Sequence, residues 1–354
     1  MLFSRSTPEQ KLQSLVSEQL ATLFELSVNQ VETWVTIANN AVLITLPFAA
    51  QTLHDTLKKR IELAASEQNL PLDHVLIETK IHASATKVKK VGQIKNIIAV
   101  ASGKGGVGKS TSSVNIAYAL MAQGAKVGLL DADIYGPSVP IMLGNTDSTP
   151  ASRDDKTIIP FAAHGLVASS IGYFVPAENA TVWRGPMASK ALEQLLRETD
   201  WPELDYLIVD MPPGTGDIQL TLAQQMPVSA AVIVTTPQDL AVADASKGIA
   251  MFNKVDVPVL GLIENMSLYI CPKCGHQEHI FAQNGGVELA KRNKVPLLGQ
   301  LPLNSKIRHY TDQGTPLLIA EPNDPLSQSY ITCALAISKQ LYLQSLMDIR
   351  IQNI

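Results

Sequence analysis

Cysteine is scarce in this chain, with three in 354 residues, and residues 1–85 contain neither a cysteine nor a glycine. So few thiols exclude a disulfide-stapled secreted scaffold and suit a reducing compartment. Basic charge is also in short supply: 28 Lys and Arg stand against 32 Asp and Glu, for a net charge of −4. That balance argues against a nonspecific grip on nucleic acid, which needs clustered cations. Long apolar runs are missing too. The stretch 157–177 carries no formal charge, but Pro160, Gly165, Gly172 and Pro176 interrupt it. It reads as buried strands and loops, not a membrane span. The opening MLFSRSTPEQ lacks the apolar core of a secretion signal. The expectation is a soluble cytoplasmic protein with neither membrane nor nucleic acid as partner.

Apolar residues make up 46% of the chain, enough for a substantial core. Two regimes follow one another. Residues 1–85 read as a small α+β unit: helix 10–26, strands 31–38 and 41–46, helix 50–67, strand 74–81. Its His54, His74 and His82 are too scattered for a metal site. Residues 86–95 are polar and basic, with Lys87, Lys89, Lys90 and Lys95, and read as a linker. From 96 to 354, short and nearly continuous apolar runs alternate with helical segments. That pattern predicts an α/β fold with a doubly wound, mostly parallel sheet.

Residues 103–110, GKGGVGKS, fit G-x-x-x-x-G-K-[ST] between a strand and a helix. This is the context a phosphate loop requires. Gly103, Gly105, Gly106 and Gly108, with Val107 between them, let backbone N–H groups turn inward around phosphate oxygens. Lys109 reaches the β- and γ-phosphates and Ser110 offers its hydroxyl to Mg2+. Thr111 closes the phosphate-binding run at the start of a helix whose positive end faces the anion. ATP is the expected nucleotide, and GTP stays open.

Three carboxylates end strands on the nucleotide side. In KVGLLDAD, residues 126–133, Asp133 is the candidate to position the attacking water and Asp131 reads as structural. Asp210 closes the run LIVD and has the form of a magnesium-side aspartate. The loop MPPGTGD follows, and its Asp217 reads equally well as a γ-phosphate sensor or as a helix cap. Asn265, after another strand, is the candidate for the adenine edge.

Lys104 departs from the plain motif. In a face-to-face dimer it can reach the partner's nucleotide, as an arginine finger does in trans. The alternative is a solvated lysine with no role. KGGVGKS resembles the deviant loop of dimeric ATPases that include septum-positioning, chromosome-partition and nitrogenase-iron-protein families. That resemblance implies a lysine that crosses the dimer interface.

ICPKCGHQEH, residues 270–279, sets Cys271 and Cys274 two residues apart. Three readings compete. Two cysteines from each of two subunits can hold one [4Fe–4S] cluster. Cys271, Cys274, His276 and His279 can form a zinc site within one chain. The pair can also be a redox dithiol, although the thioredoxin-like context is absent. If Lys104 acts across a two-fold axis, two ligands per chain become four there, and the first reading follows. Cys333 falls in a predicted C-terminal helix, 326–346, and reads as a buried apolar cysteine.

Taken together, GKGGVGKS, DADIYGPSVP, DMPPGTGD, ENMS and CPKCG resemble the Mrp/ApbC type of iron–sulfur cluster carrier ATPases. Partition and septum ATPases lack YGPS, PPGTGD and the cysteine pair. The resemblance implies a homodimer with a [4Fe–4S] cluster between Cys271 and Cys274 of each subunit. It also implies slow ATP hydrolysis and delivery of the cluster to apo iron–sulfur proteins. Residues 1–85 look like the small iron–sulfur-assembly domain often fused ahead of this ATPase, without a cysteine of their own. Two rival readings remain. A positioning ATPase working on membrane or DNA is disfavoured by the tail SLMDIRIQNI, which has a single arginine and no basic face. The other is a zinc-stabilised regulatory NTPase with no cluster.

Overall fold

The computed structural model describes residues 7–146, 148–154, 156–174 and 185–352, with residues 348–352 as backbone only. The chain forms two compact units, Met1–His82 and Ala83–Ile354.

The first unit begins with helix α1, Pro8–Phe24, capped reciprocally by Thr7 and Gln10. Its inward stripe is Leu12, Leu15, Val16, Leu20 and Phe24, at helical spacing. A short turn α2, Val28–Val31, comes next. Strand was expected from residue 31, but Ser27 and Gln30 cap each other and start a helical turn there. Strand β1, Val35–Ala38, therefore begins later. It pairs antiparallel with β2, Ala41–Leu46. Asn39 and Asn40 join them, both left-handed with φ of 50° and 57°, as a two-residue hairpin turn requires. Helix α3, His54–Glu67, crosses over, and β3, His74–Thr79, lies parallel to β2.

Val42, Ile44 and Leu46 point into this unit's core and are fully buried. Each contributes about 1.5–3 kcal/mol, and a one-residue slip of β2 would turn all three outward. Phe24, Trp34 and Phe48 close the core edge to face, with ring centroids 5.1 to 6.0 Å apart.

The second unit starts ahead of the expected linker, where Ser84 N–H donates to Asn96 Oδ1 at 2.9 Å. The linker residues 86–95 are partly packed: Val91 is buried, and β4, Ile94–Ala101, takes in Lys95. The other strands are β5, Val127–Asp131; β6, Phe161–Ala163; β7, Leu166–Ser170; β8, Leu204–Asp210; β9, Ala230–Thr235; β10, Val259–Ile270; β11, Gln277–Glu278; and β12, Leu297–Leu303. Their order is β11-β10-β9-β4-β8-β5-β7-β6, with β12 also on β10. All pairings are parallel except the hairpins β6–β7 and β10–β11.

Strands β5, β8 and β9 are buried at every position, as a sheet covered on both faces demands. The covering helices are α4, Lys109–Ala122; α5, Val139–Met142; α6, Gly185–Glu198; α7, Asp217–Gln225; α8, Asp239–Lys254; α9, Gly285–Asn293; α10, Ser305–Asp312; α11, Leu317–Ala320; and α12, Pro325–Gln352.

Helix α12 packs on β12 at a point where the strand has no side chain. A Cβ on Gly299 would lie 2.2 Å from Cys333 Sγ. Cys333 is buried, and burial pushes its thiol up to about 12. Among the described residues no helix is long and apolar enough to cross a membrane.

Candidate functional site

The loop between β4 and α4 is shaped by its glycines. Gly106 and Gly108 both have φ of +80°, a region closed to most side chains. Gly103 touches helix α8: a Cβ there would lie 2.2 Å from the Asp244 carbonyl carbon. Gly105 meets nothing within 4 Å. Val107 is buried and anchors the loop. Gly108 is the cap of α4, so the first N–H groups of that helix open into the loop. Ser110 and Thr111 stand in its first turn.

Lys109 is 6% exposed, and its ammonium is already paired. Nζ donates to Asp210 Oδ1 at 2.7 Å, lies 3.6 Å from Asp133 Oδ2, and reaches Ser110 Oγ at 3.2 Å. Asp210 is fully buried, so desolvation sets the energetics here. Removing one partner from such a pair costs about 3–5 kcal/mol, because the other charge is left alone. Two oxygens stay unsatisfied. Asp210 Oδ2 and Asp133 Oδ1 are buried and accept no hydrogen bond among the described residues. A pair of inward-facing carboxylate oxygens beside a serine hydroxyl is a donor set suited to Mg2+, a hard cation that takes oxygen ligands.

The sheet brings these carboxylates together. Asp131 and Asp210 are directly opposite on β5 and β8. Asp131 serves the backbone: Oδ1 accepts from Asp133 N–H at 3.1 Å, and Oδ2 from Val139 N–H at 3.1 Å and Ser170 Oγ at 2.9 Å. It thereby fixes the turn that aims Asp133. Burial, then the charge of Asp210, pushes the Asp131 carboxyl up. Burial likewise raises Asp133, and Lys109 opposes the rise.

Sequence reasoning missed Ser113, whose Oγ donates to Asp210 Oδ1 at 2.7 Å. Its position four residues past Lys109, on the same face of α4, was the available signal. Gln238 was missed as well. Lys104 Nζ donates to Gln238 Oε1 at 3.3 Å, and Thr236 Oγ1 donates to the same oxygen at 3.0 Å. Lys104 therefore folds onto its own chain. Asp217 is the first residue of α7, behind the cap Gly216, makes no side-chain cap, and is exposed. Gly214, with φ of +103°, returns its N–H to Ser102 O at 3.0 Å, which ties the MPPGTGD loop to the end of β4.

Asn265 lies under the phosphate loop. Its Nδ2 donates to Val107 O at 2.8 Å, and a Cβ on Gly108 would fall 2.2 Å from that nitrogen. The neighbouring Glu264 is fully buried and accepts from Gly286 N–H at 2.7 Å and Gln300 Nε2 at 2.5 Å.

Strand β10 runs on from Asn265 to the cysteines. Cys271 and Cys274 sit in the turn between β10 and β11. The turn is closed by Cys271 N–H to His276 O and Gly275 N–H to Cys271 O, both 2.9 Å. Gly275 has φ of +72°, which the reversal needs. Cys274 is exposed and Cys271 half-buried. The N–H groups of Cys274 and Lys273 draw the Cys271 thiol below its ordinary value. His279 Nδ1 lies 2.8 Å from Ser267 O. Among the described residues no three His, Cys, Asp or Glu side chains gather to hold a metal. The zinc arrangement of Cys271, Cys274, His276 and His279 within one chain is thus not assembled there.

A family model described as the NUBPL iron-transfer P-loop NTPase, of ParA type, matches residues 93–338. The iron-sulfur cluster carrier protein of Haemophilus influenzae is 52% identical over 304 residues, spanning 85% of this chain and 82% of its own length. The mouse iron-sulfur cluster transfer protein NUBPL is 47% identical over 257 residues, 72% of this chain and 80% of its own. Among solved structures, a nucleotide-binding protein from Archaeoglobus fulgidus in complex with ADP superposes with a TM-score of 0.59 at 35% identity. That match covers 68% of this chain and 93% of the other.

Proposed function

The chain belongs to the ParA-type family of NUBPL iron-transfer P-loop NTPases, and from that premise we propose that it is an ATP-dependent carrier of iron–sulfur clusters. The observation that carries the reading is a continuous strand. The same β10 holds Asn265 beneath the phosphate loop and presents Cys271 and Cys274 in an open turn at its end.

Nucleotide binding starts with an exchange of partners. N–H groups of Gly105, Gly106, Val107 and Gly108 receive phosphate oxygens. Lys109 turns from Asp210 to the β- and γ-phosphates. The orphaned oxygens of Asp210 and Asp133 then face an acidic ligand without a cation between them. Ser110 and Asp210 would hold Mg2+, which would supply the neutralising charge there. Asp133, raised by burial and aimed by Asp131, orients the attacking water at the γ-phosphorus. The amide of Asn265, with Nδ2 committed to Val107, presents Oδ1 to an adenine amino group.

The remaining roles involve a second copy. In a homodimer Lys104 leaves Gln238 and reaches the partner's phosphates. Two thiolates from each subunit complete the four that a [4Fe–4S] cluster takes. The clients are apo iron–sulfur proteins, and the work is cytoplasmic. Coupling between hydrolysis and delivery arises from different cluster affinities in the two nucleotide states.

Anaerobic reconstitution tests the reading. About two irons and two sulfides per chain are expected, followed by ATP-dependent transfer to an apo-enzyme. A single tightly held zinc per chain, with no iron taken up, would overturn it.

A further inference from the structure

Strand β10 carries an irregularity between its two functional ends. Asn265 pairs with Leu301 of β12, and the next pair is Tyr269 with Leu303. Four steps along β10 thus match two along β12, so the strand bulges over residues 266–268. Inside the bulge Met266 has φ of +55°. Other non-glycine residues in this region are asparagines, Asp256 and His164, the helix caps Glu25 and Lys294, and Ala282 in the loop ahead of α9. All of these lie in turns, loops or helix ends, where such a backbone is common. Met266 is an unbranched apolar residue within a strand, and its backbone is held off its preferred region by its neighbours.

Those neighbours lead in two directions. On one side is the nucleotide site: Asn265 Nδ2 holds Val107 O, and a Cβ built on Gly108 would lie 3.6 Å from Met266 Cε. On the other side is the cysteine turn. Ser267 Oγ donates to Leu301 O at 3.1 Å, and Ser267 O contacts His279 Nδ1 at 2.8 Å. His279 follows directly on β11, the strand that returns from the cysteines. Loop, bulge and turn are joined by contacts at every step.

We propose that the bulge at Met266 and Ser267 relays occupancy of the phosphate loop to the pose of the Cys271–Cys274 turn, with Met266 as the positioning residue. Phosphate entering the loop moves Val107 and Gly108, against which Asn265 and Met266 pack. A bulge that has two arrangements transmits that motion to Ser267 and His279. Glycine at 266 adopts either backbone region freely, and the link is lost. The relay serves the carrier reading, but its test needs no iron, so a chain that took up no cluster would leave the outcome standing.

The test is the alkylation rate of Cys271 and Cys274 in the metal-free full chain, read by mass spectrometry with and without a non-hydrolysable ATP analogue and Mg2+. Cys333, buried between α12 and β12, reports loss of fold in the same spectrum. In the unaltered protein the nucleotide should change the rates about fivefold or more. In Met266→Gly that ratio should fall close to one while analogue affinity stays within about twofold. His279→Ala, which cuts the tie outside the core, should do the same. If Cys333 becomes reactive in the glycine variant, the decision rests on His279→Ala. A ratio unchanged in a folded variant that still binds the analogue overturns the proposal. So does an unaltered protein whose thiols ignore the nucleotide.

Discussion

Lys109 Nζ lies 2.7 Å from Asp210 Oδ1, and both groups are buried. The lysine proposed for phosphate is thus neutralised by the carboxylate proposed for the metal side. Lys109→Ala should therefore do more than abolish ATP binding. It leaves Asp210 buried and uncompensated, and should lower the stability of the nucleotide-free protein by about 3–5 kcal/mol. The double variant Lys109→Met, Asp210→Asn should recover most of that loss and still bind no ATP. Urea unfolding and a nucleotide titration of all three proteins check both halves.

Gly108 and Gly105 make opposite predictions in one loop. At Gly108 a methyl group would meet Asn265 Nδ2 at 2.2 Å on a backbone with φ of +80°. Gly108→Ala should cost about 1–3 kcal/mol and weaken ATP binding through the displaced loop. At Gly105 nothing lies within 4 Å and no positive φ is imposed, so Gly105→Ala should leave stability within about 0.5 kcal/mol. Thermal unfolding of the pair decides.

Cys271→Ala should abolish the brown absorbance on reconstitution and leave ATP binding by the metal-free chain intact, since the turn and the phosphate loop share no side chain. Cys333→Ala should keep both. Loss of nucleotide binding in the Cys271 variant would show that the two sites are not separable.

The first unit should have its own acid sensitivity. Burial holds His54 below the ordinary histidine value, with Asp55 opposing, and Thr79 Oγ1 lies 3.3 Å from its Nε2. A base depressed by folding contributes stability that is complete above the unfolded value of about 6.5 and is lost as pH falls through the folded one. His54→Gln should flatten that slope. Urea midpoints of both proteins on either side of the unfolded value measure it.

Much of the site was legible because parallel α/β sheets place chemistry at the carboxyl ends of strands. Asp133 and Asp210 follow apolar runs, GKGGVGKS lies between strand and helix, and the structure brings all three together. What stayed hidden were contacts that periodicity does not encode. Ser113 was one helical turn away from a known residue. The bond from Lys104 to Gln238 joins two loops more than a hundred residues apart. The left-handed backbone at Met266 has no marker in its side chain, unlike the Asn39-Asn40 turn, whose residue types announce it. Residues 86–95 looked like a linker because their lysines are solvated, yet Val91 is buried and Lys95 already belongs to β4.

Gly299 and Cys333 share one volume: sulfur fills the space that a methyl on the strand would need. Position 299 is not free to gain a side chain while sulfur stands at 333. A lineage that acquires alanine at 299 must already have shed that sulfur, or must do so at once. Across the descendants of this sequence, alanine at 299 should appear only beside a smaller residue at 333.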